Sequence, residues 1–419
     1  MKKTCKVKQE LIFSDVLLRW YQENRRILPW REDPTPYHVW ISEIMLQQTR
    51  VEAVKSYYAR FLAELPDIAS LAASEEDHYL KLWEGLGYYS RVRNLHRAAG
   101  QLMAEHQGRM PDTAEQLLRI AGIGPYTAAA VASMSFGERI PAIDGNLLRC
   151  FSRLSAYSGS LRDRSGRQAA YRFFLDRMPP ESRGGMPRRN EDGILQDALW
   201  NPCGAFNQAM MDLGAMICLP NGQPKCGACP LAVFCIAHRL GQEGDFPVKE
   251  EKKPRRVEKR TVFLLRRGEE IALRKRPARG LLAGLYELPN TEGTLTETEA
   301  LQYLSGLGIA PLRLRRLPPA RHIFTHKEWD MSGYEVFIDE LAPLGAPGKG
   351  EVRCEDSAAW ADRKKQSQAI ALNRSKPRVS PAQRSGAEET AGGIFFAPRA
   401  AIRERYPVPS AFSAYTVLF

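Results

Sequence analysis

Residues 111–146 read PDTAEQLLRIAGIGPYTAAAVASMSFGERIPAIDGN. Gly122-Ile123-Gly124 separates two helical runs, and Pro125 suits the first position of the second, expected over residues 126–136. Asp112 and Glu115, three apart, fit a capping box for the first helix. A glycine hairpin of this kind exposes backbone N–H groups at a helix N-terminus, where a phosphate binds well. One acidic residue, Asp144, follows between Ile143 and Gly145. A phosphate clamp with a carboxylate downstream points to chemistry on a nucleic acid. The same Gly-x-Gly also serves as a plain turn, and the same Asp as the N-cap of the helix starting NLLRCFSRL. Spacing alone leaves both readings open.

Four of the eight cysteines, Cys218, Cys226, Cys229 and Cys235, fall within eighteen residues, spaced C-x7-C-x2-C-x5-C. The N-terminal MKKTCKVKQELIFSD is charged and short of apolar residues, so a secretory segment is not expected. Thiols in a reducing compartment stay reduced, and clustered ones there favour metal over disulfides. Structural zinc commonly uses two C-x2-C pairs, and only one is present. Four thiolates on one compact loop suit a [4Fe–4S] cluster better, with zinc as the alternative. Cys5, Cys150, Cys203 and Cys354 are scattered and read as ordinary buried or surface residues.

These groups need a scaffold. At 419 residues the chain should hold two or more domains. Its 60 basic and 48 acidic residues give a net charge of +12, which suits a polyanion partner. No apolar run is long enough for a membrane span, and the expected location is the cytoplasm, with the DNA. Val39, Trp40, Ile44, Val51, Val54, Tyr58 and Phe61 recur at three- and four-residue steps, predicting an amphipathic helix that carries Glu43. Residues 1–244 read as a helix-rich first domain and residues 245–260, DFPVKEEKKPRRVEKR, as a charged linker. In the second domain, residues 261–419, TVFLLRR and EIALRKR predict a hairpin turning near Gly268. Residues 181–198 read as an insert, and residues 356–393, poor in large apolar side chains, as a disordered one.

The order hairpin, aspartate, four cysteines resembles the helix-hairpin-helix DNA glycosylases of the endonuclease III superfamily. Within it, ILPWR at 27–31, SEIMLQQTRV at 42–51, LGYYSRVRNLH at 86–96, GIGPYTAAAVAS at 122–133, AIDGN at 142–146 and FNQAMMDLGAMIC at 206–218 are similar to the motifs of the adenine glycosylases. The resemblance implies an all-α helix-hairpin-helix glycosylase domain with an iron–sulfur loop, followed by an α+β Nudix-like domain. RPARGLLAGLYELPN and RHIFTHKEWDMSGYEVF carry the second part of that likeness. A Nudix hydrolase needs an acidic metal-binding helix, and TETEALQYLSGLG has no such pattern, so pyrophosphatase activity is not expected. Bifunctional members carry a lysine after the hairpin; here Tyr126 stands there, as in monofunctional adenine glycosylases. The first Cys spacing is one residue longer than the family's usual six.

Hydrolysis of an N-glycosidic bond makes the sugar carbon positive and the leaving base negative, so a site wants an acid near the base and a carboxylate near the sugar. Glu43 and Asp144 are the candidates. A carboxyl desolvated beside Trp40 and Ile44 would have a raised pKa and deliver a proton; a first-turn Glu placed by the helix dipole is the simpler alternative. The resemblance implies that Glu43 protonates adenine and then helps activate water, that Asp144 stabilises the sugar cation, and that Tyr126 and Asn146 orient Asp144 and the water. It further implies that Gly122 and Gly124 hold phosphate, that Gln48 and Tyr88 enter the base stack, and that Arg26, Trp30, Arg31 and Leu46 line the adenine pocket. Phe324, Thr325 and His326 would read an opposite 8-oxoguanine; the family often has Phe-Ser-His there, and Thr keeps the hydroxyl. The implied partner is double-stranded DNA bearing A:8-oxoguanine or A:G mispairs, bound by a monomer. Two other classes stay on the page: a pyrimidine-specific glycosylase with lyase activity, and a non-catalytic DNA-damage-binding protein.

Overall fold

The computed structural model describes residues 12–181, 201–248, 254–338 and 393–419. The inserts read at 181–198 and 356–393 lie almost entirely outside these residues. The chain divides into two units, Met1–Lys253 and Pro254–Phe419.

The first unit is helical among the described residues: α1 Phe13–Asn24, α2 Pro29–Glu32, α3 Pro36–Leu46, α4 Val51–Glu64, α5 Ile68–Ala73, α6 Glu76–Leu82, α7 Ser90–His106, α8 Ala114–Leu117, α9 Pro125–Phe136, α10 Gly145–Ser155, α11 Arg164–Leu175, α12 Pro202–Met216 and α13 Ile236–Leu240. Among the described residues no helix is long and apolar enough to cross a membrane. At the centre is α9, PYTAAAVASMSF, buried from Thr127 to Met134. A helix that is apolar all round must be surrounded, and its small side chains let α3 and α12 pack against it. The approach of α12 is close: a Cβ on Gly204 would come within 2.7 Å of the Met134 Cα.

Two local expectations change. The apolar periodicity of residues 39–61 predicts one helix, whereas the chain forms α3 and α4 with a break between them. Gln48 in that break has φ 59°, a left-handed conformation that cannot continue a helix. The Asp112–Glu115 capping box does not form either. Thr113 is the N-cap, its hydroxyl accepting from the Gln116 N–H at 3.3 Å, and α8 is a single turn.

The second unit is built on a mixed sheet of β1 Arg256–Arg267, β2 Glu270–Lys275, β3 Tyr286–Glu287, β4 Asn290–Glu292, β5 Pro311–Ile323, β6 Lys327–Ile338 and β7 Ile394–Pro398, with α14 Glu297–Gly306 before β5. Its order is β3-β2-β1-β6-β5, with β4 on β1 and β7 on β2. The β1–β2 hairpin forms as predicted, antiparallel with Arg267 opposite Glu270. Residues 256–260, expected in the linker, are instead the first five of β1, paired in parallel with β6 from Lys327 onward. From Val262 to Leu265 β1 is apolar without alternation because both its faces are covered. Val262 and Leu264 pack with Trp329, Met331, Phe412 and Tyr415, while Phe263 and Leu265 pack with Val336 and with Ala300 and Leu304 of α14. Glu299 of α14 completes a capping box with Thr296. Among the described residues β5 is the outer strand, and its register with β6 shifts between Leu317 and Ala320, at Pro318-Pro319.

Candidate active site and cysteine loop

α3, α9, the turn before α10, and α12 converge on a cavity of about 600 Å³. Glu43 and Asp144 both line it. Glu43 is the eighth residue of α3, so a first-turn dipole role does not apply. It is 5% exposed. The Tyr126 hydroxyl, from the first turn of α9, donates to its Oε2. Burial pushes the Glu43 carboxyl up to about 7; the nearby Asp144 charge adds to this, while the Tyr126 hydrogen bond and Arg31 oppose it.

Asp144 is the N-cap of α10, and its carboxylate lines the cavity. Its Oδ1 accepts from the Leu147 N–H and its Oδ2 from the Asn146 Nδ2, each at 2.8 Å. Burial raises its pKa, and those donors pull against the rise. Asn146 is held in turn. The Arg149 guanidinium donates to its Oδ1 at 2.9 Å, to the Gly214 carbonyl at 2.7 Å and to the Cys218 carbonyl at 2.7 Å. A Cβ on Gly214 would fall 2.6 Å from the Asn146 Cβ, so α12 presents bare backbone there.

Trp30, Arg31, Leu46 and Gln48 line the same cavity. Arg26 does not, and this corrects its predicted place. Both Arg26 and Arg31 are drawn to Asp212, whose carboxylate accepts from Arg26 Nε at 2.7 Å and from the Arg31 fork at 2.8 and 2.9 Å. Burial raises the Asp212 pKa, but the two arginines outweigh it and hold the carboxyl below its usual range. Gln208, one turn earlier on α12, also lines the cavity, and its Oε1 accepts from the Tyr21 hydroxyl at 3.0 Å.

Gly122 has φ 77°, and a Cβ there would lie 2.6 Å from the Asn94 Cβ. Gly124 is the N-cap of α9, in extended backbone. Tyr88 lies on the loop before α7 with φ 48° and is 45% exposed. In the second unit, Phe324, Thr325 and His326 form the turn between β5 and β6. Phe324 is packed edge-on against Trp329, with centroids 4.9 Å apart, while Thr325 and His326 are exposed.

Residues 41–172 match the model of the HhH-GPD superfamily base excision DNA repair proteins, and residues 261–373 that of the NUDIX domain. The adenine DNA glycosylase of Mus musculus is 31% identical over 407 residues, covering 80% of this chain and 74% of its own. That of Buchnera aphidicola subsp. Schizaphis graminum (strain Sg) is 32% identical, covering 70% of this chain and 78% of its own. The chain belongs to the adenine DNA glycosylase family. Members are base-excision-repair enzymes that act on N-glycosidic bonds. The enzyme of Arabidopsis thaliana is 34% identical over 65% of this chain, which spans 46% of that longer protein.

The family's cysteine-rich region is formed here by Cys218, Cys226, Cys229 and Cys235, which line one cavity together with Arg153, His238 and Glu243. The Arg153 guanidinium lies 3.2 Å from the Cys218 Sγ, and the Cys235 Sγ is 3.3 Å from the Arg153 carbonyl. A hydrogen bond from Cys150 and the Arg153 charge bring the Cys218 thiol down to about 6, against the effect of burial. Burial pushes Cys226 up to about 11 and Cys229 up to about 12. Such thiols ionise where a cationic centre compensates them, so the donor set fits a metal group. Ligand atoms of Cys226, His238 and Glu243 also lie within 4.8 Å of one another.

Cys150 is buried, as expected, and it also lines the cysteine cavity. Cys203 is a buried thiol facing the Pro179 and Pro180 carbonyls instead. Cys5 and Cys354 lie outside the described residues. Sequence reasoning missed Asp212, Gln208 and Arg149. A buried acid inside the apolar FNQAMMDLG helix was the available signal for Asp212, since such a group must be paired.

Proposed function

We propose that this chain is monofunctional and removes adenine mispaired with 8-oxoguanine or guanine in double-stranded DNA. The carrying observation is the pair of unlike carboxylates on one cavity: Glu43 desolvated and raised to about 7, Asp144 held by two donors at a helix N-terminus. The cavity is of ligand size, and an extruded base can occupy it once unstacked, at a cost of a few kcal/mol. Tyr126 occupies Oε2 of Glu43, which leaves Oε1 to carry the proton. That proton passes to a ring nitrogen of adenine as the glycosidic bond breaks and its electron pair leaves with the base. Asp144, anionic, stabilises the sugar cation. The Glu43 carboxylate then takes a proton from the water that adds to the sugar carbon. A lyase needs an amine nucleophile, and among the described residues lining this cavity there is no lysine.

Cys218, Cys226, Cys229 and Cys235 would hold one [4Fe–4S] cluster, supported by four thiols on one cavity with Arg153 beside them. When bound it supplies a structural tie, fixing the 218–235 loop and presenting Lys225 to phosphate. The protein would act as a monomer, in the cytoplasm with the DNA. Lesion choice would lie in the turn of Phe324, Thr325 and His326, whose exposed tip supports a reading role.

The deciding experiment incubates the protein with duplexes bearing A opposite 8-oxoguanine, with and without alkali. Adenine release with strand breaks only after alkali is expected. Breaks without alkali point to the lyase, and binding without release to a non-catalytic damage binder. Anaerobically purified protein should contain about four irons per chain; stoichiometric zinc without iron overturns the cluster.

A further inference from the structure

Arg91, in the first turn of α7, takes no part in the chemistry above. It is 9% exposed, and among the described residues no carboxylate pairs with it. Burial lowers its pKa to about 10. A desolvated cation of this kind persists only if its hydrogen-bonding capacity is met. Five backbone carbonyls meet that of Nη1 and Nη2, while Nε has no partner among the described residues. Nη1 lies 2.6, 3.1 and 2.8 Å from the oxygens of Ile44, Met45 and Gln47, and Nη2 lies 3.2 Å from those of Leu86 and Gly87. The guanidinium also lies over the Trp83 and Tyr88 rings, 5.3 and 5.6 Å from their centroids.

These carbonyls belong to two segments far apart in sequence. Ile44, Met45 and Gln47 form the C-terminal end of α3, where helix carbonyls lack partners. That end begins one residue after Glu43 and runs into Gln48. Leu86 and Gly87 directly precede Tyr88. Gln48 and Tyr88 are both non-glycine residues at positive φ, 59° and 48°, a conformation that persists only where the surroundings impose it. One planar fork thus serves the helix that carries the acid and both exposed loops.

We propose that Arg91 is a positioning residue: it locks the Gln48 loop, the Tyr88 loop and the Glu43 helix end into one body, so that inserting those side chains into the base stack and placing the acid are a single event. This rests on the reading that Gln48 and Tyr88 enter the stack. Lysine keeps the charge but not the fork, and can serve one segment at a time.

The test uses the full chain carrying Arg91→Lys or Arg91→Met, with Gln48→Ala and Tyr88→Ala as references. Two duplexes are compared: target adenine opposite guanine, and target adenine opposite an abasic-site analogue, where no partner base resists extrusion. Single-turnover adenine release is measured, together with the fluorescence of 2-aminopurine placed beside the target, which reports unstacking. The Arg91 variants should lose about tenfold or more on the A:G duplex, the scale of one lost charged hydrogen bond, and less than about threefold on the unpaired adenine. The fluorescence rise should fall in step, and the pH above which the rate declines should not move. Arg91→Lys should lie between the parent and Arg91→Met. An equal loss on both duplexes, or no loss, overturns the proposal. A split in the Gln48 and Tyr88 variants without one in Arg91→Met overturns the clamp alone. A split in Arg91→Met without one in those two variants overturns the insertion reading, and with it the joint event.

Discussion

Glu43 has one side-chain donor, Tyr126, and a carboxyl raised to about 7 by its burial. The folded chain therefore keeps a proton that the unfolded chain releases around the ordinary value of 4.5. With more protons bound in the native state, stability falls as pH rises from 4.5 to 7, and the loss is complete above 7. Glu43→Gln removes this liability together with the acid. It should melt roughly 3–8 °C above the parent at pH 8, with the gain fading as pH approaches 4.5, while adenine release falls at least about a hundredfold. Thermal melts across pH and single-turnover release check both halves; a variant no more stable at pH 8, or still active, sinks the assignment. Asp144→Asn should be as inactive, keep the cap because Asn is as good an N-cap as Asp, and melt no lower than the parent at pH 8, because burial raises the Asp144 pKa as well. In the parent, release should decline above pH 7 as Glu43 loses its proton.

At the scale of elements, the setting of the Asp144 carboxylate depends on a glycine of another helix. Gly214→Ala on α12 puts a methyl group 2.6 Å from the Asn146 Cβ, displacing the donor to Asp144. Release should fall about tenfold, with little change in melting temperature because alanine favours the helix by nearly 1 kcal/mol. An unchanged rate would show that Asn146 does not set Asp144. The hairpin, the four cysteines and the β1–β2 pair were legible in sequence because each is a local pattern, whereas Glu43 and Asp144 stood out only through the family resemblance. The break after α3 was not: apolar spacing runs from Ile44 to Val51 as if one helix continued, and no glycine marks the left-handed residue at Gln48. The partners of Asp212, Arg26 and Arg31, lie 186 and 181 residues away. Nothing in a single stretch of sequence brings them together, and the place of Arg26 in the pocket was implied by the resemblance alone. Residues 256–260 looked like linker because β1 starts with solvent-facing charge before its apolar run.

For the whole molecule, all the carboxylates and cysteines of the proposed chemistry lie in the first unit, and the turn of Phe324, Thr325 and His326 in the second. A chain ending near Lys253 should still release adenine, and should lose its preference for A opposite 8-oxoguanine over A opposite G. His326→Ala in the full chain should shift that preference in the same direction, by roughly two- to tenfold for a single hydrogen bond. If the second unit adds only non-specific charge, both substrates weaken by the same factor and the salt dependence flattens. Release and binding on both duplexes, for the full and shortened chains, separate these outcomes.

The outer strand β5 has a bearing on how copies of this protein treat one another. An open sheet edge offers unpaired N–H and C=O groups to any passing strand. This one is thirteen residues long, with Leu312 70% exposed. Two residues withdraw the invitation: Pro318 and Pro319 have no N–H to give, and the ladder slips where they stand. Arg313 and Arg316 add like charge, while Arg315 is paired with Glu335, so two such edges repel before they can zip together. Salt screens that repulsion, making high ionic strength the condition under which self-association through this edge should grow.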